Sequence, residues 1–340
     1  MDQLVVLWRN YELGWINSLR ALAALAVIMI HIAGPVLYQN IFSSTWWIGH
    51  GLDTLSRFAV PLFLMISGVL LLHKEESIVQ FAKKRASSIL IPFLAWSILY
   101  YLYANGFEGS TLVFIKTLVS EGTSYHLWYF YMIIPLYFMV PLLRKIVSHI
   151  PLSYIWYYAI ISGTIVTAAS LLEWMGGSLK IYVNPFSPGV ALLLLGYALT
   201  HRNMKIRHIN LIGMISVGVV FLGTYLLVEH DNAFNGIFYD ALGIFVMLQT
   251  VMIFNFLNIN KEIFNKIGKS KVIRIISTHS FGIYLLHPLV INILSPYFPQ
   301  DLFTQQYGYT GFVIMFLSVL GVSIILVWIL SQIPLIKKIV

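Results

Sequence analysis

The sequence contains no cysteine, and only 10% of its 340 residues are charged. The absence of cysteine excludes disulfides, thiolate metal ligands and a cysteine nucleophile. Soluble globular domains carry about 25% charged residues, so the low charge content argues against a water-soluble fold. The sequence also lacks the glycine motifs that bind dinucleotides or phosphates and the closely spaced histidine pairs of a metal-binding helix, so we expect no metal and no permanently bound cofactor.

Apolar sequence, in contrast, is abundant. Hydrophobic residues make up 59% of the chain and the mean hydropathy is +0.83, which predicts an all-α integral membrane protein with about ten spans. The sixth apolar segment is short and follows the irregular stretch YVNPFSPG, so a tilted, broken or partly re-entrant helix is expected there. The ten segments are 16–37, 54–73, 88–105, 127–143, 153–173, 187–200, 209–228, 238–257, 280–298 and 309–332.

The distribution of basic residues predicts the orientation of these spans. If the amino terminus is cytoplasmic, the cytoplasmic segments hold 18 of the 21 Lys and Arg residues, and only Arg57, Lys116 and Lys180 fall outside. This bias is typical of cytoplasmic loops, so both termini are expected inside the cell. It also accounts for the net charge of +8 without a nucleic-acid partner. The sequence shows no cleavable signal peptide, repeat or soluble appended domain, so we expect one transmembrane domain over 1–340.

Two ionisable side chains interrupt the first apolar segment, SLRALAALAVIMIHIAG. Arg20 and His31 are eleven residues apart, which on an α-helix is three turns plus about 20°, with a rise of roughly 16 Å. Both therefore lie on one face. Because a charged side chain within a membrane costs about 2.5–3.5 kcal/mol, such a face usually points to a polar interior. The alternative is an arginine that snorkels to the cytoplasmic surface and a histidine that caps an outer helix end.

Further ionisable residues of the apolar segments are candidate site residues. His287 lies in mid-span ahead of Pro288, where it can also bond a backbone carbonyl that the proline leaves free. His126, Trp128 and Tyr129 open the fourth segment at its outer edge, where an aromatic belt at the membrane interface is the plain alternative.

The outer end of the second segment carries its own charges. Arg57 begins SRFAVPLFLMISG on the outer side, where the cytoplasmic bias of basic residues does not explain it. Pro61 and the pair Ser67 and Gly68 predict a loosened helix and close packing against a neighbour. Acidic residues near outer ends, such as Asp53, are interpreted as polar helix edges.

Four stretches, LRALAALAVIMIH, SRFAVPLFLMISG, HLWYFYMIIPLY and HSFGIYLLHPL, occur in the order seen in the membrane-bound acyltransferase 3 family, which the chain resembles over essentially its whole length. The resemblance implies a ten-helix enzyme of the bacterial cytoplasmic (inner) membrane. Such an enzyme moves an acyl group, usually acetyl, from cytoplasmic acyl-CoA to a sugar hydroxyl of an extracytoplasmic glycan. The family's functional arginine and histidine correspond to Arg20 and His31, and its second-helix arginine to Arg57.

On this resemblance, acetyl-CoA is expected as donor substrate. Lys83, Lys84 and Arg85, in the loop stretch FAKKRASSILIPF, would bind its phosphates, and Arg20 would hold the pantetheine arm. Many family members carry two arginines separated by two residues here, whereas this chain has Arg85 followed by Ser88 at the second position. Topology and lipid headgroups are the alternative explanation of the basic loop.

The expected catalytic residues are His31 and Arg57. An imidazole can take the proton of the attacking hydroxyl or carry the acyl group transiently, and the sequence leaves these two roles open. Arg57 would stabilise the oxyanion of the transition state. His126, Trp128 and Tyr129 would shape the mouth that admits the acceptor sugar.

Two functions of other classes stay open at this point. Ten spans with interior charges also fit a transporter or flippase of glycans or lipid-linked sugars, although the sequence shows no paired, interrupted half-repeats. A structural subunit of a polysaccharide synthase is the non-enzymatic alternative. The expected partners are membrane lipid, acyl-CoA and a surface glycan acceptor, with a homo-oligomer or a complex with polysaccharide-assembly proteins left open.

Overall fold

The computed structural model describes residues 2–120, 122–177, 187–201, 206–298 and 308–340, and the side chains within them from residue 14 onward except at 108, 308 and 309. The described chain is helical and contains no strand, which confirms the predicted all-α class. Its α-helices are α1 Asp2–Ala33, α2 Ser44–Ser56, α3 Ala59–Leu71, α4 Ile78–Arg85, α5 Ile91–Asn105, α6 Thr111–Ser120, α7 Trp128–Ile146, α8 Leu152–Trp174, α9 Pro188–His201, α10 Ile209–Asp231, α11 Ile244–Ile259, α12 Lys261–Gly268, α13 Lys271–Leu294 and α14 Gly308–Ser331.

Each of the ten predicted apolar segments coincides with a helical part of the chain. Within the described ranges, eight helical segments are long and apolar enough to cross a membrane, so the protein is polytopic. The sixth predicted segment is the short helix α9, and the ninth lies in α13, whose amino-terminal half is more polar. The count of ten spans and the side of the termini stay predictions.

Some sequence-based expectations concern residues outside the described ranges. Most of the stretch YVNPFSPG belongs to 178–186, and three basic residues of the charge count, Lys180, Arg202 and Lys205, also fall in undescribed ranges. Helix α1, in contrast, begins at Asp2, well before the predicted start at residue 16. Hydropathy marks only the apolar part of a helix, so a polar first section escapes it.

The second span is broken, as its sequence predicts. Arg57 and Phe58 form the turn between α2 and α3. Pro61, the third residue of α3, has no N–H to donate to the Arg57 carbonyl, so the helix ladder is interrupted at that position. The break places the Arg57 side chain at a discontinuity of the span.

Glycines set the close crossing of α3 and α9. A Cβ added at Gly68 would lie 1.9 Å from the Leu193 carbonyl oxygen, and one at Gly196 would lie 2.1 Å from that of Met65. Small residues at such crossings let two backbones approach within a membrane. The close packing predicted for Gly68 is therefore confirmed, and it fixes α3 beside the interior of the bundle.

Candidate active site

Three histidines that are far apart in the sequence converge between α1, α7 and α13. The centroid of the His31 ring lies 5.0 Å from that of His287, which lies 5.7 Å from that of His126. Nearer the amino-terminal ends of α1 and α13, Ser277 Oγ donates to Asn17 Oδ1 at 3.0 Å. Asn17 precedes His31 on α1, and Ser277 precedes His287 on α13. Because both pairs are in contact, α1 and α13 run in the same direction. Among the described residues, no group of three or more His, Asp or Glu side chains is arranged to hold a metal ion.

The protonation of His287 follows from the proline beside it. Pro288 has no N–H, so the carbonyl of Tyr284, four residues earlier, lacks its helical donor. His287 Nδ1 lies 2.8 Å from that oxygen and 3.1 Å from the Ile283 carbonyl oxygen. Because a carbonyl only accepts, we assign the proton to Nδ1, which leaves a lone pair on Nε2. Nε2 is buried and has no hydrogen-bond partner in the described part of the chain. His287 thus presents an unused basic nitrogen beside His31 and His126.

The position of His126 is fixed by its backbone and by one ring nitrogen. His126 lies in the short turn that precedes α7, where its Nδ1 is 3.0 Å from Ser124 Oγ. The Tyr284 hydroxyl donates to the His126 carbonyl. Its Nε2 is also buried without a partner among the residues described. The ring of Tyr125, 5.0 Å from that of His31, closes the cluster on one side.

Of the three residues expected at the acceptor mouth, two face the interior and one does not. His126 is buried, and the ring of Tyr129 lies 5.6 Å from that of Tyr284. Trp128, in contrast, is 43% exposed. The structure therefore brings His126 and Tyr129 to the histidine cluster and leaves Trp128 outside it.

A cavity of about 300 Å³ leads toward this cluster from the side of Arg20. Its lining includes Arg20 and Val27 on α1, Tyr129 on α7 and Tyr284 on α13. Val27 precedes His31 by one helical turn on the same face, a rise of about 6 Å. The cavity thus begins at Arg20 and ends one turn short of His31. It follows the face of α1 that the spacing of Arg20 and His31 predicts to point to the interior.

Arg20 borders the cavity without any fixed partner. Within the described residues its guanidinium makes no hydrogen bond and no ion pair. A guanidinium carries five N–H donors and stays charged, so one that is half-buried in a membrane protein without a partner is suited to hold an anion. Arg20 thus places an unpaired charge at one end of the cavity.

The basic loop residues have three different environments. Arg85 lines the cavity, and its guanidinium carbon lies 5.6 Å and 5.8 Å from the ring centroids of Phe81 and Tyr137. Lys84 is engaged in an ion pair, as described next. Lys83 is exposed and makes no ion pair with a described residue. Of these residues, Arg85 alone reaches the cavity, while Lys83 stands free near it.

Glu76 neutralises part of this basic surface. Its carboxylate accepts from Lys84 Nζ at 2.7 Å and from Arg144 NH2 at 2.7 Å, and its side chain is only 8% exposed. These hydrogen bonds, from Lys84 first and then Arg144, lower the pKa of Glu76 to about 2. Arg144 also donates through Nε to the Leu71 carbonyl at 2.8 Å. The network clamps the loop after α3 onto the end of α7.

Arg57 is held by a carboxylate that is fully buried. Its NH2 donates to Asp53 Oδ2, and its guanidinium carbon lies 4.2 Å from the centroid of the Tyr239 ring. The interpretation of Asp53 as a polar helix edge is wrong, since this residue has no exposed surface. Among the described residues, the side-chain contacts of Arg57 are those with Asp53 and Tyr239, and none joins it to His31, His126 or His287. The Arg57 Nε is buried without a partner among the described residues, which leaves one donor edge free.

Comparison with known proteins decides the class of this site. A family profile described as an acyltransferase domain matches residues 13–332, nearly the entire chain. The chain belongs to the acyltransferase 3 family. The resemblance drawn from its four quoted stretches is therefore confirmed.

One curated relative of this chain is a serine/alanine racemase of Enterococcus gallinarum. It is 28% identical over 193 residues, which cover 53% of this chain and 26% of the racemase. The chain thus spans about a quarter of the length of the curated relative it matches. No solved structure matches the chain.

Sequence reasoning missed three features of this site. Asp53 and Arg57 are four residues apart, a spacing at which a buried ion pair is expected on one helix face. Glu76 lies beside Glu75 in the loop that precedes the basic residues, and the sequence does not show which of the two carboxylates pairs with Lys84 and Arg144. The role of Tyr284, which touches both the cavity and His126, has no signal in the sequence.

Proposed function

We propose that this acyltransferase moves an acetyl group from cytoplasmic acetyl-CoA to a sugar hydroxyl of an extracytoplasmic or lipid-linked surface polysaccharide, in the bacterial cytoplasmic membrane. The observation that carries the proposal is the cavity of about 300 Å³ that begins at the unpaired Arg20 and ends one turn from His31. A donor can enter such a cavity from one side of the membrane while its acyl group meets an acceptor near the other.

The donor half of the proposal depends on charge and size. CoA carries several phosphates, and Arg20, Arg85 and Lys83 are cations without ion-pair partners among the described residues. A volume of about 300 Å³ is at the low end of the range for ligand pockets. It suits the narrow pantetheine arm with its acyl group rather than a whole CoA. The nucleotide end would therefore stay at the cytoplasmic mouth, on Arg85 and Lys83.

The chemical step uses the histidine cluster. The acceptor oxygen attacks the thioester carbonyl, His31 takes the hydroxyl proton, and the carbon–sulfur bond breaks to release the CoA thiolate, which then receives the proton. A base is needed because an alcohol is a weak nucleophile at neutral pH. The free Nε2 of His287 can accept a hydrogen bond from His31 and so orient its ring. Transient acylation of His31 is the second route to the same product.

Arg57 would stabilise the negative charge that develops on the carbonyl oxygen. A donor held rigidly before the reaction is more effective than one that must reorganise. Asp53 and the Tyr239 ring hold the Arg57 guanidinium in this way, and its Nε edge remains free. The pairing with Asp53 also reduces the cost of keeping a guanidinium inside the membrane.

The experiment that tests the function separates it from the transporter alternative. Purified protein in proteoliposomes would be given acetyl-CoA outside and an oligosaccharide acceptor in the lumen, with acetylated sugar measured by mass spectrometry and sugar movement by filtration. We expect acetylated sugar to form without net sugar transport. Transport without acetylation would overturn the proposal. The racemase reaction is not extended to this chain, because the match covers only 26% of that protein.

A further inference from the structure

A second cavity, of about 250 Å³, lies on the other side of Arg85. It is formed by the segment 78–90 and by the face of α7 between Ile134 and Pro141. Apart from Arg85 and Tyr137, every side chain of its lining is apolar. Arg85, Ile89 and Tyr137 also line the larger cavity, so these three residues form the wall between the two spaces.

The surroundings of this second cavity face lipid. Ile78 is 69% exposed, Leu90 41% and Phe138 79%. The segment Ile78–Asn105 is long and apolar enough to cross a membrane, and large apolar side chains exposed on such a helix contact acyl chains rather than water. An apolar cavity that opens among them is a place for hydrocarbon.

The positive charge of Arg85 and Lys83 at the second cavity favours lipids with an anionic headgroup. Arg85 Nε is buried without a hydrogen-bond partner in the described part of the chain. Lys83, two residues away, is exposed and unpaired within the same ranges. Lys84, in contrast, is held by Glu76. An uncompensated guanidinium at the membrane surface attracts a phosphate, which it can bind through two N–H donors.

We propose that this second cavity, between segment 78–90 and α7, binds one acyl chain of an anionic phospholipid of the cytoplasmic leaflet, with the lipid phosphate on Arg85. The apolar walls supply affinity for the chain, and the guanidinium supplies preference for the anionic headgroup. Since Arg85 also borders the larger cavity, the bound lipid would form part of the cytoplasmic mouth of that cavity, and its phosphate would share the Arg85 guanidinium with the phosphates of the donor. The inference depends on these contacts and not on the reaction proposed above.

Native mass spectrometry tests the proposal directly. The detergent-purified protein would be mixed with phosphatidylglycerol or with phosphatidylcholine of identical chains. We expect one bound phosphatidylglycerol per chain and a preference over phosphatidylcholine of about fivefold or more, which corresponds to about 1 kcal/mol for one basic contact. Ala86→Phe fills the second cavity and does not line the larger one. It should lower the amount of bound phosphatidylglycerol by about fivefold or more. Ala104→Phe, exposed on the same span but outside the cavity, should not.

A third variant separates headgroup from chain. Arg85→Gln should abolish the preference for phosphatidylglycerol while residual lipid binding stays at the level of phosphatidylcholine. Equal binding of the two lipids by the unmodified protein, or unchanged binding by Ala86→Phe, would overturn the proposal. Displacement of the lipid by inorganic phosphate alone would also overturn it, because it would assign the site to a free phosphate. None of these readouts requires acetyl transfer, so their failure is distinguishable from failure of the proposed function.

Discussion

His31 and His287 lie with their ring centroids 5.0 Å apart on two helices that run in the same direction. His287 donates its Nδ1–H to the Tyr284 carbonyl, which Pro288 leaves without a donor. Its Nε2 therefore remains a buried acceptor beside His31. His287, held by the backbone, can orient the ring of His31. A general base that is oriented by a fixed partner is a common arrangement in catalysis.

Replacing His287 tests this arrangement. In His287→Asn the amide can still donate to the Tyr284 carbonyl, so the helix around Pro288 should persist, but the basic nitrogen is lost. We expect kcat for acetyl transfer to fall by about 10²-fold or more while the KM for acetyl-CoA is unchanged. Steady-state kinetics in detergent would measure both. An unchanged kcat would show that His287 serves only the backbone.

Arg20 is expected to act on donor binding rather than on chemistry. A hydrogen bond to a charged group is worth about 1.5–3 kcal/mol, so Arg20→Ala should raise the KM for acetyl-CoA by about 10- to 100-fold. Arg20→Lys keeps the charge and should lose less. Ser67→Ala, which alters a neutral residue of the same cavity, is the matched control and should leave KM near its original value. A fall in kcat with constant KM would move Arg20 to the chemical step.

Asp53 and Arg57 are expected to depend on each other for stability. Removing one partner of a buried ion pair costs about 3–5 kcal/mol, because the other charge is left uncompensated. Asp53→Asn should therefore lower the free energy of unfolding strongly, and the double variant Asp53→Asn with Arg57→Gln should recover most of the loss. Unfolding in denaturant measures the cycle. Acetyl transfer should stay low in the double variant, since the oxyanion donor is gone. Additive losses of stability would show that the two side chains do not interact.

The Glu76 clamp gives the protein a pH dependence outside the membrane. Hydrogen bonds from Lys84 and Arg144 lower the pKa of Glu76 from 4.5 to about 2. A lowered carboxyl pKa means that its stabilisation is fully present above about pH 4.5 and is lost as the pH falls toward 2. Glu76→Gln should therefore have a lower Tm than the unmodified protein at pH 7. The difference in Tm between the two proteins should shrink as the pH drops below 4.5. A difference in Tm that is constant across that window would contradict the clamp.

The parts of the site that the sequence predicts are those within one helix. The spacing of Arg20 and His31 places both on one face of α1 without any tertiary information. Pro288 likewise indicates that His287 bonds the freed backbone. Both statements depend on local geometry, which the sequence determines directly.

The parts that the sequence leaves out depend on packing between helices. His126 reaches His287 only because a turn before α7 meets α13, and the hydrogen bond from Tyr284 to the His126 carbonyl fixes that meeting. Lys84 and Arg85 are neighbours in the sequence, yet one is engaged by Glu76 and the other borders two cavities. The residue types of the loop do not distinguish them, because the way the loop folds against α7 decides which basic side chain Glu76 reaches.

The most direct test of the account is the acetyl transfer activity of His31→Ala in proteoliposomes, measured together with the affinity for acetyl-CoA. A polar route from Arg20 to His31 implies that the variant inserts normally, binds the donor with unchanged Kd and loses acetyl transfer by about 10²-fold or more. Full acetyl transfer by a correctly inserted His31→Ala protein would contradict the account.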